Sequence, residues 1–100
     1  KKTFSAKLDT GAYRTAVDSA LVDELGLEIL KRKIKIKATN GTQHRTAIRM
    51  EIRLGNKKIK SIATIADRKH LKYPIIVGRK DLQGFMIDID GSTRNDTENI

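Results

Sequence analysis

The chain has no cysteine among its 100 residues, which excludes a disulfide framework, thiolate zinc sites and a cysteine nucleophile together. That composition fits a reducing compartment. No apolar run approaches the roughly 20 residues of a membrane span, and the opening KKTFSAKLD has none of the apolar stretch of a signal peptide. A cytoplasmic protein without a membrane partner is expected. The first residue is Lys and not Met, which points to a piece of a longer chain. His44 and His70, the two histidines, fall into no metal-ligand spacing such as HExxH, so no metal site is expected. The phosphate-binding pattern GxxxxGK(S/T) is missing, and VGRKDLQG at residues 77–84 does not replace it. No cofactor is expected. The aromatics are Phe4, Tyr13, Tyr73 and Phe85, too scattered for a base-stacking platform, and nucleic acid is not the favoured partner.

What is present is aliphatic and basic. The chain is long enough for one modest core, and its apolar residues are mainly Ile, Leu and Val, the composition of a strand-built interior. Residues 1–91 read as one domain, and the polar stretch 92–100 as a tail that frays. Twenty-one Lys and Arg against 12 Asp and Glu leave a net charge of +9, which favours acidic partners or reflects nothing more than a soluble basic surface.

Residues 3–8, TFSAKL, alternate as a strand with Phe4, Ala6 and Leu8 on one face and deliver Asp9 to its end. After a turn at Gly11, YRTAV is a second short strand, and Asp18 or Ser19 then caps a helix over SALVDELG. Leu21 and Leu25 share its buried stripe, and Gly26 stands where a helix C-terminus favours glycine. From residue 31 the period becomes two: Ile34, Ile36 and Ala38 point inward, Lys33, Lys35 and Lys37 outward. Asn40-Gly41 is a hairpin signal, and the returning strand places Ile48, Met50, Ile52 and Leu54 on one face. A second turn at LGNKK leads into IKSIATIA, followed by the apolar run of YPIIVG, a single helical turn over RKDLQ and a last strand over FMIDI.

The chemistry centres on Asp9-Thr10-Gly11. Hydrolysing a peptide with water needs a base to activate the water and an acid to protonate the products, and two carboxylates sharing one proton supply both. Gly11 allows close backbone approach and offers an N–H to a carboxylate oxygen. Thr10 carries a hydroxyl that can lock two loops together, whereas Ala12 adds no donor. Asp, Thr and Gly are also ordinary turn residues. The context that raises them is an apolar strand ending at Asp9 and, far along the chain, the apolar run and glycine of IIVGR.

LDTGA and IIVGRKDL resemble the active-site loop and second signature of the retropepsin-like aspartic proteases. AKLDTGA together with DRKHLKYPIIVGRKDLQGFMIDID is similar to the prokaryotic RimB-like branch, often labelled "ATP-dependent zinc proteases". The resemblance implies an all-β fold, a closed β-barrel with one short helix after the second strand. It implies an aspartic endopeptidase with Asp9 catalytic, Thr10 interlocking, Gly11 a backbone contact, and Gly78 and Arg79 bracing the interface. Members of this size act as homodimers, and one Asp-Thr-Gly per chain agrees with two being needed.

In retroviral members an acidic residue follows the Ala and can pair with the family Arg. Tyr13 stands there in this chain, leaving Asp67 and Asp81 as candidate partners of Arg79. The flap falls by order on the hairpin of Asn40 and Gly41, which with Ala12 and Arg14 would contact a peptide substrate. RimB-like domains are associated with systems that add glutamate tails to a ribosomal protein, so acidic substrates are what the resemblance implies. Asp88 and Asp90 in IDID share a strand face and read as a solvated edge. Lys31, Arg32, Lys33, Lys35 and Lys37, with Arg49 and Arg53 on a second strand, suggest a rival reading: a non-catalytic member of the same fold that binds an acidic protein or nucleic acid.

Overall fold

Alternating apolar and charged residues through the middle of the chain build the three longest strands of the computed structural model, which describes residues 3–39 and 41–85. Strands β3 (Glu28–Ala38), β4 (Gly41–Leu54) and β5 (Lys57–Ala66) pair antiparallel in sequence order. The short strands β1 (Lys7–Asp9), β2 (Ala16–Asp18) and β6 (Ile75–Gly78) complete a six-stranded sheet in the order β1-β6-β2-β5-β4-β3. Helix α1 (Ser19–Leu25) follows β2. The all-β architecture with one helix after the second strand is as the sequence implies. Closure is not: the sheet is open among the described residues, with β1 and β3 at its two ends. Closure would need β1 to pair with β3, but among the described residues β1 pairs with β6 alone and β3 with β4 alone.

The core forms where α1 crosses the sheet. Val17, Leu21, Val22, Ile48 and Ala63 are buried together, with Phe4, Leu25, Leu27, Met50, Ile65 and Ile75 packed around them. On β4 the adjacent residues Ala47 and Ile48 are both fully buried, as are their β5 partners Thr64 and Ala63 almost completely. Neighbours on a strand point to opposite faces, so the sheet is covered on both sides at this point. Beyond Ile48 only one side is covered. Met50, Ile52 and Leu54 stay half-buried while Arg49, Glu51 and Arg53 are exposed, the alternation expected of a sheet with one wet face.

Helix α1 is bounded by its own caps. Asp18 is the N-cap: its Oδ2 accepts the Ala20 N–H at 3.1 Å, and its Oδ1 accepts the Arg68 N–H at 2.6 Å. One carboxylate thus closes the helix and ties down the loop after β5. Gly26 ends the helix with φ 62°, the left-handed conformation that glycine adopts without a Cβ penalty.

Several boundaries differ from the sequence reading. Strand β1 starts at Lys7 because Phe4 and Ala6 pack, half-buried, without strand pairing. Strand β2 starts at Ala16 because residues 13–15 are drawn into a loop. Strand β3 starts earlier, at Glu28, and carries two more residues than β4 between the pairs Ile29↔Ile48 and Lys33↔Thr46. The outermost pair of the first hairpin is Ala38↔Gly41, so Gly41, with φ 117°, belongs to the strand side of the turn. Asn40, most of the expected last strand with Asp88 and Asp90, and the tail 92–100 lie outside the described residues. RKDLQ forms successive tight turns, Asp81 N–H to Gly78 O and Leu82 N–H to Arg79 O, both 3.1 Å, and not an α-helix. Among the described residues no helix is long and apolar enough to cross a membrane.

Removing the Asp18 carboxylate leaves the Ala20 and Arg68 amides unpaired in a site where Asp18 is only 6% exposed. Asp18→Ala is expected to lower unfolding stability by about 2 kcal/mol in urea denaturation, and a change within about 0.5 kcal/mol would show that the double cap carries no net stability.

Candidate active site

The site is built by inserting a late strand between two early ones. Strand β6 pairs parallel with β1 (Lys7↔Ile76, Leu8↔Val77, Asp9↔Gly78) and antiparallel with β2 (Ala16↔Ile76, Val17↔Ile75). The chain from Asp9 to Ala16 therefore crosses the end of β6. It crosses on Gly78. A Cβ there would lie 2.4 Å from the Arg14 carbonyl carbon and 2.6 Å from the carbonyl oxygens of Tyr13 and Arg14, so any side chain would push the loop away.

Hydrogen bonds fasten the loop to this floor. The N–H groups of Arg79 and Lys80 donate to the carbonyls of Ala12 (2.8 Å) and Tyr13 (3.0 Å). The Arg79 guanidinium donates to the Thr10 carbonyl at 3.1 Å and lies 5.3 Å from the centre of the Tyr13 ring. Arg14 stacks on the same ring at 5.8 Å and donates to the Ile62 carbonyl at 3.2 Å. Two guanidinium groups on one aromatic ring form a cation–π brace. At the loop's start the Ala12 N–H closes a turn onto the Asp9 carbonyl (3.1 Å), and the Gly11 N–H donates to Asp9 Oδ1 at 3.0 Å. A Cβ on Gly11 would approach that oxygen to 3.2 Å. Asp9 is half-buried, while Thr10 and Gly11 are exposed.

Asp9, Thr10, Gly11, Ala12, Arg14, Gly78 and Arg79 are thus brought together from opposite ends of the chain. Gly41 belongs to a different feature. Strand β4 pairs with β5 only from Ala47 onward, so residues 41–46 pair with β3 alone and form a hairpin arm about 20 Å long. The candidate partners of Arg79 have other engagements. Asp67 accepts the Lys69 N–H in its own turn, and Asp81 Oδ2 accepts the hydroxyls of Thr15 and Ser61. Tyr13, which replaces the acidic residue of the retroviral pattern, supplies a ring to Arg79 in place of a carboxylate. Sequence reasoning missed Thr15 and Ser61, whose positions in strand-like stretches give no sign of a shared partner.

The basic residues divide. By register, Lys33, Lys35 and Lys37 share a face with Thr46, His44 and Thr42, whereas Arg49 and Arg53 lie on the opposite face beside Glu28, Ile62 and Lys58. Arg49 pairs with Glu28 at 3.4 Å. The single basic face suggested by the sequence is therefore two, of which only the hairpin one is free of acidic neighbours in its ladder. His44 is on β4 and His70 in the loop after β5, both exposed; among the described residues no three His, Asp or Glu side chains gather to hold a metal ion.

Residues 17–98 match the family model described as RimB-like, retropepsin-like aspartic endopeptidase RimB. The chain belongs to the RimB-like family. The matched stretch includes Gly78 and Arg79 and begins after the Asp9 loop. Among solved structures, this RimB-like chain is similar to a protein of unknown function (DUF785) from Legionella pneumophila. The TM-score is 0.59 at 20% identity, covering 86% of this chain and 80% of that one. It is also similar to the foamy viral protease-reverse transcriptase, in a structure with an RNA/DNA hybrid. There the TM-score is 0.60 at 18% identity over 96% of this chain and 13% of that one. At such identities the likeness is one of fold, and that fold is retropepsin-like. No curated protein matches the chain.

Because the loop rests directly on Gly78, Gly78→Ala is expected to destabilise the protein by about 3 kcal/mol in urea denaturation. A near-neutral result would mean that the crossing tolerates displacement.

Proposed function

We propose that this RimB-like domain, residues 1–91, is an aspartic peptidase that works as a homodimer, with Asp9 as its catalytic residue. The observation that carries the reading is the Asp9 carboxylate, fixed by the Gly11 amide on a partly exposed loop over Gly78. Each chain offers one Asp-Thr-Gly, and a second copy placed against the loop supplies the second carboxylate. Two such groups about 3 Å apart hold one proton between them. The ionised Asp9 takes a proton from water as its oxygen bonds to the scissile carbonyl carbon, while the protonated Asp9 of the other copy gives its proton to the carbonyl oxygen. Breaking the C–N bond then returns a proton to the leaving nitrogen.

Thr10 would lock the two loops through its hydroxyl, Gly11 would hold the carboxylate, and Gly78 and Arg79 would brace the interface. Ala12 and Arg14 flank the loop as substrate contacts, and the hairpin of Asn40 and Gly41 would close over the peptide. Lys33, Lys35 and Lys37 on that hairpin, with Arg14 beside the loop, favour acidic, glutamate-rich peptides.

Asp9→Asn should reduce peptide cleavage about a thousandfold while leaving a dimer in light scattering across a concentration series. Retained cleavage, or a monomer at every concentration, would overturn the reading. A monomeric protein that still bound acidic peptides would instead support the non-catalytic binding module.

The substrate preference has a separate test. KM for an acidic peptide should rise with ionic strength more steeply than KM for a neutral one, and replacing Lys33, Lys35 and Lys37 by Gln should flatten the difference. Equal salt dependence would remove the acidic preference.

A further inference from the structure

Asp81 lies in the tight turn after β6, three residues beyond Gly78. Its Oδ2 accepts hydrogen bonds from Thr15 Oγ1 and Ser61 Oγ, each at 2.6 Å, the short distance typical of a hydroxyl on a carboxylate. Thr15 and Ser61 are 1% and 4% exposed. With its proton directed at Asp81, the Thr15 hydroxyl has only lone pairs left to offer, and it accepts the Gly78 N–H at 3.1 Å. The direction of every bond in the chain Gly78, Thr15, Asp81 is thereby fixed. Gly78 is the strand partner of Asp9 and the floor of its loop; Thr15 closes that loop, its carbonyl accepting the Thr64 N–H at 3.0 Å.

We infer that Asp81 is a positioning residue: acting through Thr15 and Gly78, it holds the loop that presents Asp9 in a single geometry. Apolar side chains at these positions would fill the same space without drawing a carboxylate out of water. The polar set adds orientation, joining the start of β2, the middle of β5 and the end of β6 at one oxygen. The inference rests on the reading of Asp9 as catalytic for its kinetic consequence, but not for its geometric one.

The test compares Asp81→Ala, Asp81→Asn and Ser61→Ala with the unaltered chain, reading kcat and KM on a cleaved peptide. It also reads the NMR amide signal of Gly11, whose N–H donates to Asp9. Asp81→Ala should lower kcat about tenfold to a hundredfold with KM within about twofold, and should shift the Gly11 amide proton upfield as its bond to Asp9 loosens. Asp81→Asn, whose side-chain oxygen still accepts both hydroxyls, should restore both readouts. Ser61→Ala should lower the urea midpoint and leave kcat and the Gly11 signal in place.

The inference is overturned if Asp81→Ala changes stability alone, or if Asp81→Asn rescues neither readout. Should Asp81→Ala not fold, Thr15→Val cuts the same chain of bonds one link earlier and carries the same expectation. If no peptide is cleaved by the unaltered chain, the peptidase reading fails, and the Gly11 signal alone decides the role of Asp81.

Discussion

A strand placed between two others that precede it in sequence forces the chain to cross over it. Here β6 lies between β1 and β2, and the crossing falls on the segment that carries Asp9, Thr10 and Gly11. Such a crossing succeeds only if the covered strand ends flat. Gly78 provides that flatness, and the amides of Arg79 and Lys80 bind the carbonyls passing above them. The loop's carbonyls are thus directed at the sheet. The Asp9 carboxylate is turned back on the Gly11 amide and stays half-buried.

Electrostatics follow the same economy of placement. Around the loop the guanidinium groups of Arg14 and Arg79 are held by carbonyls and by the Tyr13 ring, so positive charge is gathered on the Tyr13 ring without a carboxylate taken from the loop itself. On the hairpin, Lys33, Lys35 and Lys37 stand opposite Thr46, His44 and Thr42, where Lys33 bonds the Thr46 hydroxyl at 3.1 Å. At the other end of β4, Arg49 faces Glu28. A +9 chain thereby has one strongly basic arm and one mixed surface.

Local chemistry made much of this legible in the sequence. The helix caps Asp18 and Gly26, the alternation along β4, and the position of Asp9 at a strand end all depend on near neighbours, and all are found as read. What was not legible depends on distant partners. YRTAV has strand-like residues, yet its first three are claimed by the crossing over β6. Parity alone cannot place Arg49 and Lys35 on opposite faces, because that follows from a register set across two strands and an irregularity in one of them. Asp81, two residues after Arg79, suggests an ion pair; only the fold brings Thr15 and Ser61 to it from 66 and 20 residues away.

The lateness of β6 also sets an order in time. Asp9 leaves the ribosome well before Gly78, Arg79 and Asp81, which shape its loop. Pairing across such separations is slow to form, and during synthesis it cannot begin until the partner strand has emerged. A growing chain therefore carries its acidic residue without the loop that orders it. The arrangement of strands alone keeps the site unassembled until β6 and the turn after it have been made.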